Sequence, residues 1–326
     1  MLAAILLAVI VLVSVLAVGL MNEDKRRIIL LLCASFLIVA ALSFALGLVY
    51  TPSYGYAAGL YFGLAAAFFF TMTLYYKKDY GIFFLLSMIA IAQLILCVLY
   101  VPSGTAVRGL ALAFGVGTSL GFLFLDRDRS ANVYKENKKI EINRDLFQIT
   151  MGIVVIALLL FLKRGFVYSY VILGFIFLGY TFNSMVAATG KMTKLSDPFR
   201  RLEREGAIYG AGATYAAAGM ALMLGTISDS RFLAFGCVAL FIGDSVATLV
   251  GKNFSEPRLP FNRHKSLFGF LAFFVFTAAL GFLLIGIYAV PIALLLAFVE
   301  SAGSRFDDNI TVPIAAAAAY FLLSLI

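Results

Sequence analysis

Two polar stretches in the second half of the sequence carry side chains suited to binding phosphates or metal ions. The first covers residues 243–270; its first charged residue is Asp244, and five basic residues follow: Lys252, Arg258, Arg263, His264 and Lys265. The second contains Glu300 and the adjacent pair Asp307 and Asp308. Apolar segments adjoin these acids, and an unpaired charge beside an apolar segment is costly. We therefore expect the carboxylates to have partners, and a cation or a nucleotide is a natural one.

The composition indicates an integral membrane protein. Of 326 residues, 63% are hydrophobic and 13% are charged, with a mean hydropathy of +1.02, whereas a soluble domain is about a quarter charged. The net charge of +8 does not indicate nucleic-acid binding, because the basic residues lie in short loops between apolar runs. The three cysteines lie within apolar runs without CxxC spacing, so we interpret them as small buried hydrophobic residues: Cys33, Cys97 and Cys237.

The apolar runs predict an all-α fold, a polytopic transmembrane helix bundle of about twelve spans with short loops. The predicted spans are residues 2–21, 28–50, 56–76, 81–100, 106–125, 146–162, 166–188, 206–225, 232–251, 266–285, 287–299 and 310–326. The first run lacks a basic n-region and an A-x-A type cleavage site, so we expect a retained span and not a signal peptide. Gly286 and Pro291 predict a tight turn or a broken helix within 266–299, which is too long for one straight span.

The distribution of basic residues predicts the orientation in the membrane. Loops after odd-numbered spans hold 21 of the 25 Lys and Arg residues, and loops after even-numbered spans hold 4. Cytoplasmic loops are enriched in Lys and Arg. The odd loops, which include both polar stretches, are therefore predicted to face the cytoplasm, with both termini on the other side.

No standard nucleotide-binding motif is present in the chain. The segment GDSVATLVGK, residues 243–252, has neither the spacing nor the Ser/Thr of a Walker A loop, and the sequence contains no GxGxxG and no kinase HRD motif. A motif search alone therefore leaves a transporter of unknown substrate.

Three segments nevertheless resemble the CTP-dependent polyprenol kinases, the group of dolichol kinases and phytol or farnesol kinases. GDSVATLVGK at 243–252 matches the family pattern G-D-x-x-A-x-x-x-G-[KR]. PFNRHKSLFG at 260–269 matches P-[YF]-N-x-x-K-S-x-x-G of the phytol kinase branch. VES at 299–301 followed by DDNITVP at 307–313 matches a third segment. The order and spacing of the three segments make the resemblance specific.

A weaker resemblance lies upstream, in EINRDLFQITMG at residues 141–152. Glu141, Arg144 and Gly152 fit the family pattern E-x-x-R-K-x-x-H-x-x-x-G, whereas Asp145 and Gln148 stand where Lys and His are usual. The resemblance covers about residues 140–326. We therefore divide the chain into an N-terminal transmembrane bundle (1–125), a charged cytoplasmic loop (126–145) and a kinase-like catalytic transmembrane domain (146–326).

The resemblance implies transfer of the γ-phosphoryl group of CTP to the terminal hydroxyl of an isoprenoid alcohol in the membrane, with Mg²⁺ or another divalent cation on the phosphates. The implied catalytic residues are Asp244, Lys265 and Asp308. The expected oxygen ligands of the cation are Asp244, Glu300, Asp307, Asp308 and Asn309. The expected nucleotide-binding residues are Gly243, Gly251, Lys252, Arg258, Asn262, Arg263, Lys265 and Ser266.

Two other functions remain open at this stage. A CTP-dependent lipid cytidylyltransferase would share the nucleotide, metal and membrane setting, although the chain has RFDDN where a D-R-x-x-D segment is expected. A secondary transporter would suit twelve spans, although no internal repeat is recognisable. The sequence also leaves open the alcohol (dolichol, phytol, geranylgeraniol or farnesol type), the nucleotide base, the carboxylate that acts as base, the oligomeric state and the membrane. The active site is expected at the cytoplasmic face, of the plasma membrane in a prokaryote or of the endoplasmic reticulum or a plastid in a eukaryote.

Overall fold

The structure is a computed structural model that describes residues 104–125, 138–162, 167–189, 210–302 and 307–325, with five positions between 59 and 67. The predicted spans at 2–21, 28–50 and 81–100, and most of 56–76, lie outside the described residues. The predicted role of residues 1–125 as a separate bundle therefore stays a prediction.

Most of the described residues are helical, which confirms the all-α class for this part of the chain. Within these ranges no strand forms, and a single antiparallel bridge joins Arg258 and Ser266. The helices are α1 (Gly104–Leu125), α2 (Lys138–Phe161), α3 (Val167–Thr189), α4 (Ala211–Thr226), α5 (Ser230–Cys237), α6 (Asp244–Asn253), α7 (Leu267–Ile285), α8 (Ala289–Ser301) and α9 (Asp308–Leu323). A π-helical turn, Val238–Gly243, connects α5 to α6, and a 3-10 turn, Gly286–Tyr288, connects α7 to α8.

Local sequence signals explain several helix ends. The Asp229 side chain accepts a hydrogen bond from the Phe232 N–H and caps α5, and Ser266 caps α7 in the same way through the Gly269 N–H. Gly286 has φ +65°, a conformation that favours glycine, and it ends α7. The long apolar stretch is thus divided at the glycine that the sequence indicated, and α7 and α8 pack against each other.

In the part of the chain that the structure describes, three helical stretches are long and apolar enough to cross a membrane: Glu141–Phe161, Ser230–Asn253 and Leu267–Ser301. Shorter apolar stretches lie at Val107–Leu120, Tyr168–Tyr180 and Asp308–Leu323. Such stretches are typical of a membrane protein, but the described residues do not support a count of twelve spans. Several of the predicted spans lie outside the described residues. Within the described residues, α4 has 16 residues and rises about 24 Å, less than the ~30 Å hydrocarbon core.

The stretch Ser230–Asn253 forms the inner helix of the described part. Most of it is buried, and it contacts α2, α7 and α9. The other two stretches expose large apolar side chains, such as Phe161 and Leu283, which are 82% and 81% exposed. Apolar side chains that face outward along a spanning helix fit contact with lipid. The inner helix is therefore the element around which polar groups can gather away from lipid.

The beginning of α9 is held against α4 by a close contact at Gly219. A Cβ atom at this position would overlap the Asn309 carbonyl oxygen and lie 2.7 Å from Cγ of Pro313. We expect Gly219→Ala to lower the free energy of unfolding by about 1–3 kcal/mol, the usual cost of overpacking, measured by thermal unfolding in detergent. Gly212→Ala, on the same helix with nothing within 4 Å, is the matched control. Equal stability of the two variants would contradict this packing.

Candidate functional site

Three carboxylates from different parts of the chain form one cluster. Oxygen atoms of Asp244, Glu300 and Asp308 all lie within 4.8 Å of one another. Asp244 is the first residue of α6, Glu300 is near the end of α8, and Asp308 is the first residue of α9. Glu300 is buried, with 4% of its surface exposed, and the other two are half-buried. We call these three residues the carboxylate cluster.

Asp244 does not lie at the end of a helical stretch. It lies nine residues before the last residue of the stretch Ser230–Asn253, which corresponds to about 13 Å along the helix axis. The π-helical turn directly precedes it, and its N–H donates to the Ala239 carbonyl, five residues earlier. Such π turns are rare and often occur at functional sites. The polar stretch that begins at Asp244 thus starts inside a predominantly buried helix.

Lys265 places a positive charge beside this cluster. Its Nζ forms an ion pair with Oε1 of Glu300 and lies 3.6 Å from Oδ2 of Asp308. Burial by itself would lower the pKa of Lys265, but the negative charges of Glu300, Asp308 and Asp244 outweigh it and raise the pKa above its usual value. Lys265 is therefore a permanent cation at neutral pH. Glu300 is further fixed by the Ser301 hydroxyl, which donates to Oε2 at 2.7 Å.

The loop 254–266 has a defined fold that presents Lys265 to the cluster. The Leu259 N–H donates to the Lys265 carbonyl at 3.0 Å, and Leu259 itself is buried. The Asn262 amide donates to the Ser301 carbonyl at 3.0 Å, which ties the loop to the end of α8. Asn262, predicted as a nucleotide-binding residue, therefore has a structural contact that sets the position of Lys265 relative to Glu300.

The N-terminus of α9 brings two further predicted ligands next to the cluster. Asp307 caps the helix, and its Oδ1 accepts from the Asn309 backbone N–H at 3.0 Å and from the Asn309 amide at 2.8 Å. Burial, followed by the neighbouring Asp308 charge, raises the pKa of Asp307 to about 6. The Asn309 Oδ1 atom is buried and has no hydrogen-bond partner among the described residues. Asp307 is thus occupied as a cap, whereas Asn309 has an oxygen that could accept a ligand.

The two glycines predicted for nucleotide binding lie in tight helix packing. A Cβ atom at Gly243 would lie 2.5 Å from Oγ1 of Thr277, and one at Gly251 would lie 3.1 Å from Oγ of Ser266. These glycines allow the π-helical turn and α6 to approach α7 closely. Ser266 uses its hydroxyl to cap α7, and the Leu267 N–H donates to the Pro257 carbonyl at 2.9 Å. Part of the helix N-terminus that we expected to face an anion is therefore satisfied within the protein.

The basic residues predicted for nucleotide binding do not all gather at Lys265. Arg258 contacts the exposed Glu256 at 3.3 Å and the His264 carbonyl at 3.3 Å, and Arg263 is exposed on the loop. Lys252 forms an ion pair with Glu141 of α2, which is only 2% exposed. The structure thus brings Lys265 to the carboxylates and gives Lys252 a separate partner.

Helix α2 contributes residues that our site prediction did not include. The helix begins at Lys138, so residues 138–145, predicted as part of a charged loop, are its first two turns. Glu141 and Asp145 are both buried at 2% exposure, and Gln148 donates to Asp244. The sequence predicted these charges as loop residues because the ion pair of Glu141 with Lys252 of α6, which helps make a charge compatible with a buried helix, is a contact between distant segments. The upstream resemblance, in which Glu141 fits the family pattern and Gln148 stands where His is usual, was the signal that could have pointed to this helix.

The ion pair between Lys252 and Glu141 predicts a loss of stability on truncation. Lys252→Ala would remove an ammonium group from a buried carboxylate, and we expect destabilisation on the order of 1–3 kcal/mol, less than for a fully buried pair because Lys252 is partly exposed. The measurement is thermal unfolding in detergent, and adding Glu141→Gln should recover most of the loss. Arg258→Ala, which breaks an exposed pair, should change stability by no more than about 0.5 kcal/mol. A Lys252→Ala protein as stable as the parent would contradict this role.

The carboxylate cluster fits a divalent cation by its chemistry. All three groups offer oxygen, which Mg²⁺ prefers, and among the described residues the three carboxylates face one ammonium group, that of Lys265. A bound cation would offset the excess of negative charge. Asn309 directly follows Asp308 in the chain, and its buried side-chain oxygen has no hydrogen-bond partner within the described residues. The residues present therefore suit the group that the sequence resemblance implies.

Comparison with known proteins adds little beyond this geometry. The chain is 37% identical over 106 residues to an uncharacterized protein of Methanocaldococcus jannaschii, a match that covers 32% of this chain and 54% of the relative. The chain thus spans about half the length of that relative. No protein-family model matches the chain, and no solved structure matches it.

Proposed function

We propose that this protein is a membrane-embedded kinase that transfers the γ-phosphoryl group of CTP to the terminal hydroxyl of an isoprenoid alcohol. One observation carries the proposal: the three segments that resemble polyprenol kinases each supply a side chain to one site. Asp244 comes from the first segment, Lys265 from the second, and Glu300 and Asp308 from the third. Residues separated by up to 64 positions in the chain meet within a few ångströms, which random placement of three motifs would not produce.

The site offers two kinds of group that phosphoryl transfer requires: carboxylates that could hold a cation, and a fixed positive charge. Asp244, Glu300 and Asp308 would hold Mg²⁺, which when bound neutralises charge on the phosphate oxygens. Lys265 binds a phosphate oxygen through its ammonium group, which the loop 254–266 holds in position. Because Glu300 shares Lys265 with Asp308, the ammonium group can exchange one carboxylate contact for a phosphate contact without becoming unpaired.

The reaction also requires removal of one proton. The alcohol oxygen forms a bond to the γ-phosphorus as the bond between that phosphorus and the β–γ bridging oxygen breaks, and CDP leaves. The hydroxyl proton passes to a carboxylate of the cluster, with Asp244 and Asp308 as the candidates. The position of Asp244 within the stretch Ser230–Asn253 suits an acceptor whose tail stays in hydrocarbon, since the hydroxyl must reach the cluster from the membrane.

The products of a direct assay test the proposal. Purified protein in lipid nanodiscs is incubated with Mg²⁺, with CTP or ATP, and with farnesol, geranylgeraniol, phytol or a dolichol. We expect CDP and a lipid monophosphate as products, with faster turnover of CTP than of ATP. Pyrophosphate with a CDP-linked lipid would indicate a cytidylyltransferase, and absence of turnover with every pair would contradict a kinase and favour transport.

We also propose that the whole chain has about twelve spans. Both polar stretches would then lie on the cytoplasmic side of the membrane, where CTP is found. We expect loop 254–266 and the turn between α7 and α8 to lie on opposite sides. Single cysteines at Ser255 and at Ile287, which are both exposed, test this in a background without Cys33, Cys97 and Cys237. In sealed right-side-out vesicles, an impermeant maleimide should label position 287 and not 255. Labelling of 255 before permeabilisation would reverse the orientation and remove CTP from reach of the site.

A further inference from the structure

Gln148 of α2 joins two features of the inner helix through one nitrogen atom. Its Nε2 donates to the Leu240 carbonyl at 3.1 Å and to Oδ2 of Asp244 at 3.1 Å. A side-chain amide nitrogen has two hydrogens, so both are used. Gln148 therefore contacts the π-helical turn and the carboxylate cluster together.

The contact with Leu240 follows from the π-helical turn. In an α-helix the Asp244 N–H would donate to the Leu240 carbonyl, four residues earlier. Here it donates to Ala239, five residues earlier. The Leu240 carbonyl accepts from Gln148 instead, which matters because an unpaired carbonyl in a buried helix is costly. The amide thus stabilises the local geometry that directs Asp244 into the cluster.

The contact with Asp244 is of a different kind. The amide donates a hydrogen bond to one carboxylate oxygen, so it restricts the orientation of the carboxylate without adding a charge that would compete with a cation. Helix α2 can come this close because of Gly152, one turn after Gln148; a Cβ atom there would lie 2.5 Å from Cβ of Phe241 in the π-helical turn. The glycine and the glutamine together hold α2 against the turn.

We propose that Gln148 is a positioning residue for the cation site: it orients Asp244 for metal binding while securing the π-helical turn that precedes it. The inference rests on the proposed function, since it assigns the carboxylate cluster to a divalent cation. It extends the site to α2, a helix that supplies none of the three carboxylates. Groups that orient metal ligands through hydrogen bonds typically change metal affinity by about 10–100-fold when removed.

The test measures binding of Mn²⁺ alone to the full-length protein in nanodiscs, by electron paramagnetic resonance of the free ion, in parallel with CTP turnover. Gln148→Met keeps the length of the side chain but has no N–H, and we expect it to weaken Mn²⁺ binding by at least tenfold. Gln148→His, which can donate one hydrogen bond, should recover part of the affinity. Thr150→Ala, an exposed position on the same helix, should bind Mn²⁺ like the parent.

A double variant separates positioning from general loss of structure. If Gln148 acts through Asp244, then Gln148→Met should weaken Mn²⁺ binding no further in an Asp244→Asn background. The inference is overturned if Gln148→Met binds Mn²⁺ with the affinity of the parent, or if the substitution weakens Mn²⁺ binding equally with Asp244 and with Asn at that position. The kinase proposal then stays in place if the parent protein turns over CTP. A parent that binds Mn²⁺ but has no turnover contradicts the kinase proposal only. A parent without Mn²⁺ binding overturns the cation site and the inference together.

Discussion

Asp244→Asn and Asp308→Asn should each abolish phosphoryl transfer while the protein still inserts and purifies. Each substitution keeps the size of the side chain but removes one of three negative charges that lie within 4.8 Å of one another. The cation would then lose a charged ligand, and the hydroxyl would lose a candidate proton acceptor. We expect a fall in kcat of at least about a hundredfold, measured with CTP, Mg²⁺ and the preferred alcohol.

The same variants should separate function from stability. Without divalent cation, removing one of three mutually repelling carboxylates should leave the melting temperature unchanged or raise it, because such sites are held at a cost in stability. Addition of Mg²⁺ should stabilise the parent and have little effect on either variant. Asp229→Asn is the matched control, since Asp229 caps α5 away from the cluster and Asn caps helices about equally well. Near-parent activity in both Asp244→Asn and Asp308→Asn would rule out the cluster as the catalytic site.

Lys265→Ala is expected to have the second largest effect. Its ammonium group is a cation that contacts the carboxylate cluster and, in our proposal, contacts a phosphate oxygen of CTP. Loss of that contact should reduce kcat/KM for CTP by at least tenfold, which corresponds to about 1.4 kcal/mol of transition-state stabilisation. Lys265→Arg should retain part of the activity, because the charge remains but the compact geometry of an ammonium group does not.

The controls for Lys265 distinguish a local role from a general effect of positive charge. Arg231→Ala removes an exposed cation from the first turn of α5 and should leave kcat/KM for CTP within about twofold of the parent. A change in stability alone would appear as less active protein with an unaltered KM. Equal losses for Lys265→Ala and Arg231→Ala would mean that the phosphate site lies elsewhere.

The sequence by itself determined the elements and the residue types of the site. The predicted spans at 232–251 and 266–285 correspond to the helical stretches Ser230–Asn253 and Leu267–Ile285, because apolar runs and the caps at Asp229 and Ser266 act locally. Asp244, Glu300 and Asp308 could be predicted as candidates because charge beside apolar segments needs a partner. Lys265 was a candidate because it lies in a basic stretch that resembles the polyprenol kinases. The number of spans could not be predicted from the apolar runs, because the length of an apolar run does not determine the length of the helix that it forms.

Only the tertiary structure decided which of these candidates meet. Lys252 and Lys265 are chemically alike and lie 13 positions apart, yet they form different ion pairs. Packing of α2 brings Glu141 to Lys252, and the fold of loop 254–266 places Lys265 beside Glu300. Gln148 and Asp244 are 96 positions apart, and no local pattern marks their contact. The contact depends on Gly152, which lets α2 pack closely against the π-helical turn. It also depends on that turn, in which the Leu240 carbonyl accepts a hydrogen bond from Gln148. Hydrogen bonds and ion pairs between helices are set by packing over the whole fold, so their partners follow from the structure and not from the periodicity of the sequence.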